Sequence, residues 1–185
     1  MFIHIDLDCY FVSAHRTLDK SLHNIPVAVG GKSNVDIFSH TRVKRTMATN
    51  RASFSSKILD SEDENSSNDY FVDENNKIRG IITSASYEAR AFGVKTAMSV
   101  NEALKLCPNL KMIPPKYSLY DELSSKLKDL LELEIPLIEQ FSIDEFFFFF
   151  FGYKKDSEAE DFARKLKDKL FIELNLPCSI GLAIL

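Results

Sequence analysis

Two adjacent acids, Asp144 and Glu145, follow an apolar run typical of a β-strand, and they constrain the fold more than any other feature. A bare carboxylate is costly to bury, so the pair has to lie where the strand ends. Because side chains alternate across a straight strand, the two carboxylates can serve one site only where the backbone turns. Taken alone, the pair fits a solvated hairpin tip better than a functional site.

A second acidic strand, at residues 2–8, favours a functional site. Asp6 and Asp8 fall on one face of this strand, and Ile3, Ile5 and Leu7 fall on the other. Two apolar strands that each carry acids indicate a divalent-cation site built from oxygen ligands.

The composition is that of a soluble globular protein, with 45% hydrophobic and 27% charged residues. A formal net charge of −4 argues against a generally basic nucleic-acid binder. Cys9, Cys107 and Cys178 match no metal or redox spacing, which predicts reduced thiols in a reducing compartment. Since we find no signal peptide and no membrane-spanning run, we expect a cytoplasmic protein without membrane contact.

The order of the predicted elements indicates an α+β fold. If residues 10–115 are an insertion, the remaining order is βαββαβ, the ferredoxin-like arrangement of an antiparallel sheet with helices on one face. Asp6, Asp144 and Glu145 would then converge on the open face. The patterns predict strands at 2–8, 26–29, 81–83, 137–143, 146 onward and 178–184, and helices near 11–22, 86–93, 99–107, 119–131 and 157–170.

A polar segment at about 32–79 interrupts this regular pattern. It contains a basic block followed by an acidic one, which predicts a solvated, flexible insertion. The alternative is a basic arm that contacts phosphates and is partly masked by the acids. The basic residues are Arg42, Lys44, Arg45, Arg51 and Lys57.

Four motifs occur in a series that is more specific than any one of them. They are IDLDCYF at 5–11, PVAVGG at 26–31, ASYEARAFGV at 85–94 and SIDE at 142–145. Together they resemble the Y-family translesion DNA polymerases, most closely the DinB-like group of bacterial DNA polymerase IV. The resemblance implies a polymerase palm formed by 1–9 and 116–185, with small fingers inserted at 10–115. The thumb and little-finger domains would be absent, so we expect a truncated product.

The activity that the resemblance implies is DNA-directed DNA synthesis in DNA damage tolerance, by two-metal nucleotidyl transfer. Its partners would be two Mg²⁺ ions, primer-template DNA and deoxynucleoside triphosphates. A sliding clamp would bind only a full-length parent, because its docking peptide is absent here. The alternative is a catalytically silent remnant with at most weak nucleotide or DNA binding. A nucleotide cyclase shares the two-metal palm, but the motifs at Phe11 and at Tyr87 and Arg90 argue against it.

The same resemblance assigns the metal ligands. Asp6 and Asp144 would bridge both ions, and Glu145 would hold the ion at the primer end. The backbone carbonyl of Leu7 would complete the nucleotide-side ion. Asp8 is not a ligand in the family pattern, so a structural role is expected for it.

Nucleotide contacts are implied at a second set of residues. Phe11 would be the steric gate that blocks a ribose 2′-OH, although without the motif it reads as a core residue. The implied contacts are the backbone amides at Tyr10 and Phe11 and the side chains of Ser84, Tyr87 and Arg90.

A run of six phenylalanines, Phe146 to Phe151, departs from the family pattern, which has an acid where Phe149 stands. Alternation predicts that one set of rings packs on helices and the other lies bare beside the metal site. The histidines fit no ligand spacing, and we expect them to be structural or exposed; they are His4, His15, His23 and His40.

Overall fold

The computed structural model describes residues 2–31, 69–149 and 158–183. The chain divides into a split unit, Met1–His23 with Tyr117–Leu185, and an inserted unit, Asn24–Lys116. The first helix thus belongs to the same compact unit as the N-terminal strand. The palm bounds 1–9 and 116–185 and the fingers bounds 10–115 stay predictions about functional subdomains.

The elements follow the predicted order with one addition, a short strand at 111–113. The strands are β1 (Phe2–Leu7), β2 (Val27–Gly31), β3 (Ile81–Ala85), β4 (Lys111–Ile113), β5 (Ile138–Gln140), β6 (Glu145–Phe149) and β7 (Cys178–Ala183). The helices are α1 (Tyr10–Leu18), α2 (Tyr87–Ala91), α3 (Val100–Leu106), α4 (Tyr117–Glu134) and α5 (Ala159–Leu174). None of the helices in the described ranges has the length and hydropathy needed to cross a membrane.

The sheet of the split unit has four strands in the order β5-β6-β1-β7, and all neighbours are antiparallel. With α4 and α5, this gives the βαββαβ arrangement. The alternation in β1 buries Ile3, Ile5 and Leu7. These side chains share one core with Phe146 and Phe148 of β6 and with the apolar faces of α4 and α5. The even-numbered residues of β1 are therefore left on the opposite, open face.

The hairpin between β5 and β6 differs from the predicted strand at 137–143. β5 ends at Gln140, and a turn over 141–144 precedes β6. The backbone amides of Phe141 and Ser142 both donate to the Glu145 carbonyl, at 3.0 and 3.3 Å. These bonds close the turn, so Asp144 lies where the backbone changes direction and Glu145 is the first residue of β6.

The inserted unit has a separate three-stranded sheet in the order β3-β2-β4, with β2 and β4 parallel. Gly30 lies at an irregular register between β2 and β3, where a Cβ atom would stand 2.9 Å from Met112 Cε. Ser99 caps α3, since its side chain accepts a hydrogen bond from the Glu102 amide. The helix predicted near 157–170 begins at Ala159 as α5, and residue 157 lies outside the described residues.

The structure describes residues 69–79 of the segment at about 32–79, for which the sequence predicts a flexible insertion. Phe71 is buried in the core of the inserted unit. The carboxylate of Asp73 accepts hydrogen bonds from the amides of Asn75 and Lys77 and from Arg79 Nε. The buried Phe71 side chain and the hydrogen bonds to Asp73 hold this end of the segment against the inserted unit. The basic block at 42–57 lies outside the described residues.

Candidate metal centre

Asp6 and Glu145 lie directly opposite each other on β1 and β6. Cross-strand partners on one face bring their side chains close together. One ligand atom from each of His4, Asp6 and Glu145 lies within 4.8 Å of the others. The open face of the sheet therefore carries a compact group of one imidazole and two carboxylates.

Asp144 occupies the turn beside this group and lies outside it, within the described part of the chain. The Ser142 hydroxyl donates to Asp144 Oδ1 at 2.6 Å and lies 3.4 Å from Glu145 Oε2. The Leu7 amide donates to the Asp144 carbonyl at 3.1 Å. The turn is thus tied to the end of β1, and Ser142 connects the two acids of the pair.

The electrostatics of Asp6 fit a bound cation. Burial, together with the negative charges of Asp144 and Glu145, raises the pKa of Asp6 above its ordinary value. A divalent cation would offset both the loss of solvation and the repulsion between the carboxylates. Carboxylate oxygens are also the ligands that Mg²⁺ prefers, so the residues present fit such an ion.

Asp8 lies at the end of β1 beyond this group. Its carboxylate accepts a hydrogen bond from the Ser179 hydroxyl at 2.7 Å, and its amide donates to the Pro177 carbonyl at 2.9 Å. These bonds join β1 to the start of β7. They agree with the expected structural role.

The chain enters α1 through Cys9, which has a left-handed backbone with φ 47°. No side-chain hydrogen bond caps this helix. The first amides of a helix lack intrahelical partners, so those at Tyr10 and Phe11 suit an anion. The Tyr10 side chain is buried and its hydroxyl donates to the Tyr120 carbonyl. Burial, with the nearby charge of Asp144, raises the pKa of that hydroxyl.

Phe11 is half-buried at the edge of the core of the split unit. Its ring stacks on Tyr120 with centroids 4.4 Å apart and an interplanar angle of 17°. The Tyr120 hydroxyl lies 2.9 Å from His15 Nε2. The stack holds the Phe11 ring in one orientation while leaving part of it exposed.

The other predicted nucleotide contacts lie in the inserted unit. Ser84 is buried on β3, whereas Tyr87 is 59% exposed. The Arg90 guanidinium lies 5.4 Å from the centre of the Tyr87 ring, and its Nε donates to the Ala85 carbonyl at 3.0 Å. The Arg90 guanidinium therefore lies against the Tyr87 ring, and both side chains are exposed at the surface of this unit.

His4 is the site residue that sequence reasoning missed, because we expected all histidines to be structural or exposed. Its position two residues before Asp6, on the same strand face, is the signal that could have found it.

The family model and the similar curated proteins agree on one family. The family model described as IMS, the impB/mucB/samB family, matches residues 5–184. A DNA polymerase IV from Yersinia enterocolitica is 31% identical over 182 residues, covering 98% of this chain and 40% of the relative. A DNA polymerase IV from Alkaliphilus oremlandii is 32% identical over 180 residues, covering 97% of this chain and 35% of the relative. The chain thus spans about 40% or less of the length of these relatives.

Solved structures share the fold. The insertion ternary complex of Dbh DNA polymerase has a TM-score of 0.72 at 22% identity, covering 98% of this chain and 42% of that one. DinB from Sulfolobus solfataricus has a TM-score of 0.71 at 20% identity, covering 98% and 41% of the two chains. The mixed α/β class is confirmed. The chain belongs to the impB/mucB/samB family, the Y-family polymerase group in which these curated relatives are named DNA polymerase IV.

Proposed function

We propose that the chain is the palm-fingers part of a translesion DNA polymerase, which adds deoxynucleotides to a primer by two-metal nucleotidyl transfer. The observation that carries this proposal is the juxtaposition of Asp6 with Glu145, beside the turn that contains Asp144. Membership of the impB/mucB/samB family supports it, since the curated relatives are named DNA polymerase IV. The proposed partners are primer-template DNA, deoxynucleoside triphosphates and, for a longer parent chain, a sliding clamp. Its proposed location is the cytoplasm.

The carboxylates are the proposed metal ligands. Asp6 and Asp144 would hold both Mg²⁺ ions, and Glu145 would hold the ion at the primer end. The Leu7 carbonyl would complete the nucleotide-side ion. Two bound ions would lower the pKa of the primer 3′-OH and neutralise charge on the leaving pyrophosphate. The carboxylates of Asp6 and Glu145 lie opposite each other on β1 and β6, so these two residues need little rearrangement to hold an ion.

The remaining residues position the nucleotide in this proposal. The uncapped start of α1 offers its backbone amides to the triphosphate, and the Tyr87 hydroxyl and the Arg90 guanidinium offer further donors. Phe11 would block a ribose 2′-OH, since its ring is fixed by the stack on Tyr120. Ser84 is proposed to contact the nucleotide as well, although its burial requires a local opening.

The experiment is primer extension by this chain in the presence of Mg²⁺, with Asp144→Asn and Asp129→Asn measured in parallel. Asp129→Asn is a matched control, since Asp129 is an exposed carboxylate on α4 and is not among the proposed metal ligands. Extension by the parent and by Asp129→Asn, but not by Asp144→Asn, would support the proposal. Equal extension by Asp144→Asn would refute the metal-site assignment. No extension by any folded version would favour a silent remnant with weak nucleotide or DNA binding.

A further inference from the structure

His4 lies on the open face of β1, paired across the sheet with Phe147 of β6. The two rings are nearly parallel, with centroids 4.3 Å apart and an interplanar angle of 12°. Phe147 in turn contacts the Phe141 ring edge-on at 5.9 Å. A ring held by stacking has few orientations, so Phe147 fixes the direction in which the imidazole nitrogens point.

The Nε2 atom of His4 points towards the carboxylates. It lies 3.8 Å from Glu145 Oε1, which is longer than a hydrogen bond. This nitrogen is screened from solvent and has no hydrogen-bond partner among the residues that the structure describes. A screened polar nitrogen without a partner costs free energy, and a bound cation would remove that cost.

His4 adds a nitrogen donor to the carboxylate oxygens of Asp6 and Glu145, so the three residues differ from a site with oxygen donors alone. We propose that His4 Nε2 is a nitrogen ligand of the cation held by Asp6 and Glu145, so that this site favours first-row transition-metal cations such as Co²⁺ or Mn²⁺ over Mg²⁺. The spacing permits it, because one donor atom of each residue lies within 4.8 Å of the others. First-row transition-metal dications accept an imidazole nitrogen, with an affinity that rises from Mn²⁺ to Co²⁺ and beyond, whereas Mg²⁺ prefers oxygen ligands. The inference rests on the proposed function for the identity of the two carboxylates as ligands.

Phe147, which belongs to the phenylalanine run, is placed to fix the orientation of the His4 ring. A histidine ligand usually needs a neighbouring group to fix its ring, commonly a hydrogen bond to its second nitrogen. Here the stack with Phe147 would provide that orientation from the neighbouring strand. Phe147 is thus a positioning residue and His4 the ligand.

The test is pulsed electron paramagnetic resonance of the Mn²⁺-loaded chain, without DNA or nucleotide. A directly bound imidazole gives a ¹⁴N coupling, and ¹⁵N-labelled histidine should change that coupling in the expected isotope pattern. Calorimetric titration with Mn²⁺ and Mg²⁺ supplies the affinities. His4→Phe keeps an aromatic ring against Phe147 and removes the nitrogen, and His23→Phe is the same change at an exposed position.

We expect the ¹⁴N coupling in the parent and in His23→Phe, and its loss in His4→Phe. Mn²⁺ affinity should fall by about tenfold or more in His4→Phe, while Mg²⁺ affinity stays unchanged. Absence of Mn²⁺ binding or of a ¹⁴N coupling in the parent overturns the proposal, and so does a coupling that survives in His4→Phe. The parent's isotope-dependent coupling decides the matter even if His4→Phe fails to fold. Failure of primer extension with an intact ¹⁴N coupling would instead overturn the polymerase function alone.

Discussion

Replacing Phe146 with alanine should destabilise the split unit far more than the same replacement at Phe149. The two residues lie on one strand but on opposite faces, since Phe146 is 0% exposed and Phe149 is 45% exposed. Removing a fully buried phenylalanine ring costs about 3–5 kcal/mol, because the lost transfer free energy is joined by the cost of a cavity.

At Phe149 the expected cost is smaller for two reasons. Nearly half of the side chain is already exposed, so only about half of the roughly 1.5–3 kcal/mol of transfer free energy is lost. Water can also fill the space, so no closed cavity forms. Adding the ring contact with Phe2, which contributes about 0.5–1 kcal/mol, gives roughly 1.3–2.5 kcal/mol.

Urea unfolding followed by far-ultraviolet circular dichroism measures both costs through the midpoint and the slope. Phe148 is also buried, with 4% of its side chain exposed, so Phe148→Ala should lower the free energy of unfolding by about as much as Phe146→Ala. The result bears on the metal centre through the register of β6 against β1. A shift of one residue in this pairing would move the buried side chains of β6 to the open face and turn Glu145 away from Asp6. A larger cost at Phe149 than at Phe146 and Phe148 would refute the register.

Three further predictions concern single side chains. The pKa of Asp6 is raised in the folded protein, so folding favours the protonated carboxyl group. Protonated Asp6 therefore stabilises the fold at pH values below the ordinary carboxyl pKa, and this stabilisation is lost as the pH rises through the raised pKa. Asp6→Asn should therefore raise the melting temperature at pH 7 without divalent cations, and the gain should shrink in acid; a gain independent of pH would contradict this. Ser86→Ala should cost about 2–3 kcal/mol in urea unfolding, since the buried hydroxyl oxygen accepts from the amides of Val27 and Ala89 at 3.1 and 3.2 Å; a change below about 0.5 kcal/mol would contradict this. Phe11→Ala should raise ribonucleotide incorporation relative to deoxynucleotide in primer extension, and unchanged sugar selectivity would remove the gate assignment.

Much of the split unit could be predicted because its strands have a strong period-two pattern. In β1, apolar Ile3, Ile5 and Leu7 alternate with polar residues, and this alternation alone identifies the buried face. The acidic pair could be placed at a turn because adjacent carboxylates cannot share one face of a straight strand. The structure places that turn at 141–144.

The phenylalanine run shows where sequence reasoning stops. Six identical side chains contain no pattern that distinguishes one register from the next, so only pairing with β1 decides which rings are buried. β4 was not predicted because Lys111–Ile113 is too short to show a period, and its parallel pairing with β2 is a tertiary property. His4 was missed because its partner, Glu145, is distant in sequence and adjacent only in the sheet.

We propose that Asp6, Glu145 and the neighbouring turn hold divalent cations on the open face of the sheet. Anomalous diffraction from crystals grown with Mn²⁺ and a non-hydrolysable deoxynucleoside triphosphate tests it most directly. We expect an anomalous peak within about 2.5 Å of a carboxylate oxygen of both Asp6 and Glu145. Ordered carboxylates without a peak between them, or Mn²⁺ bound only elsewhere, would contradict it.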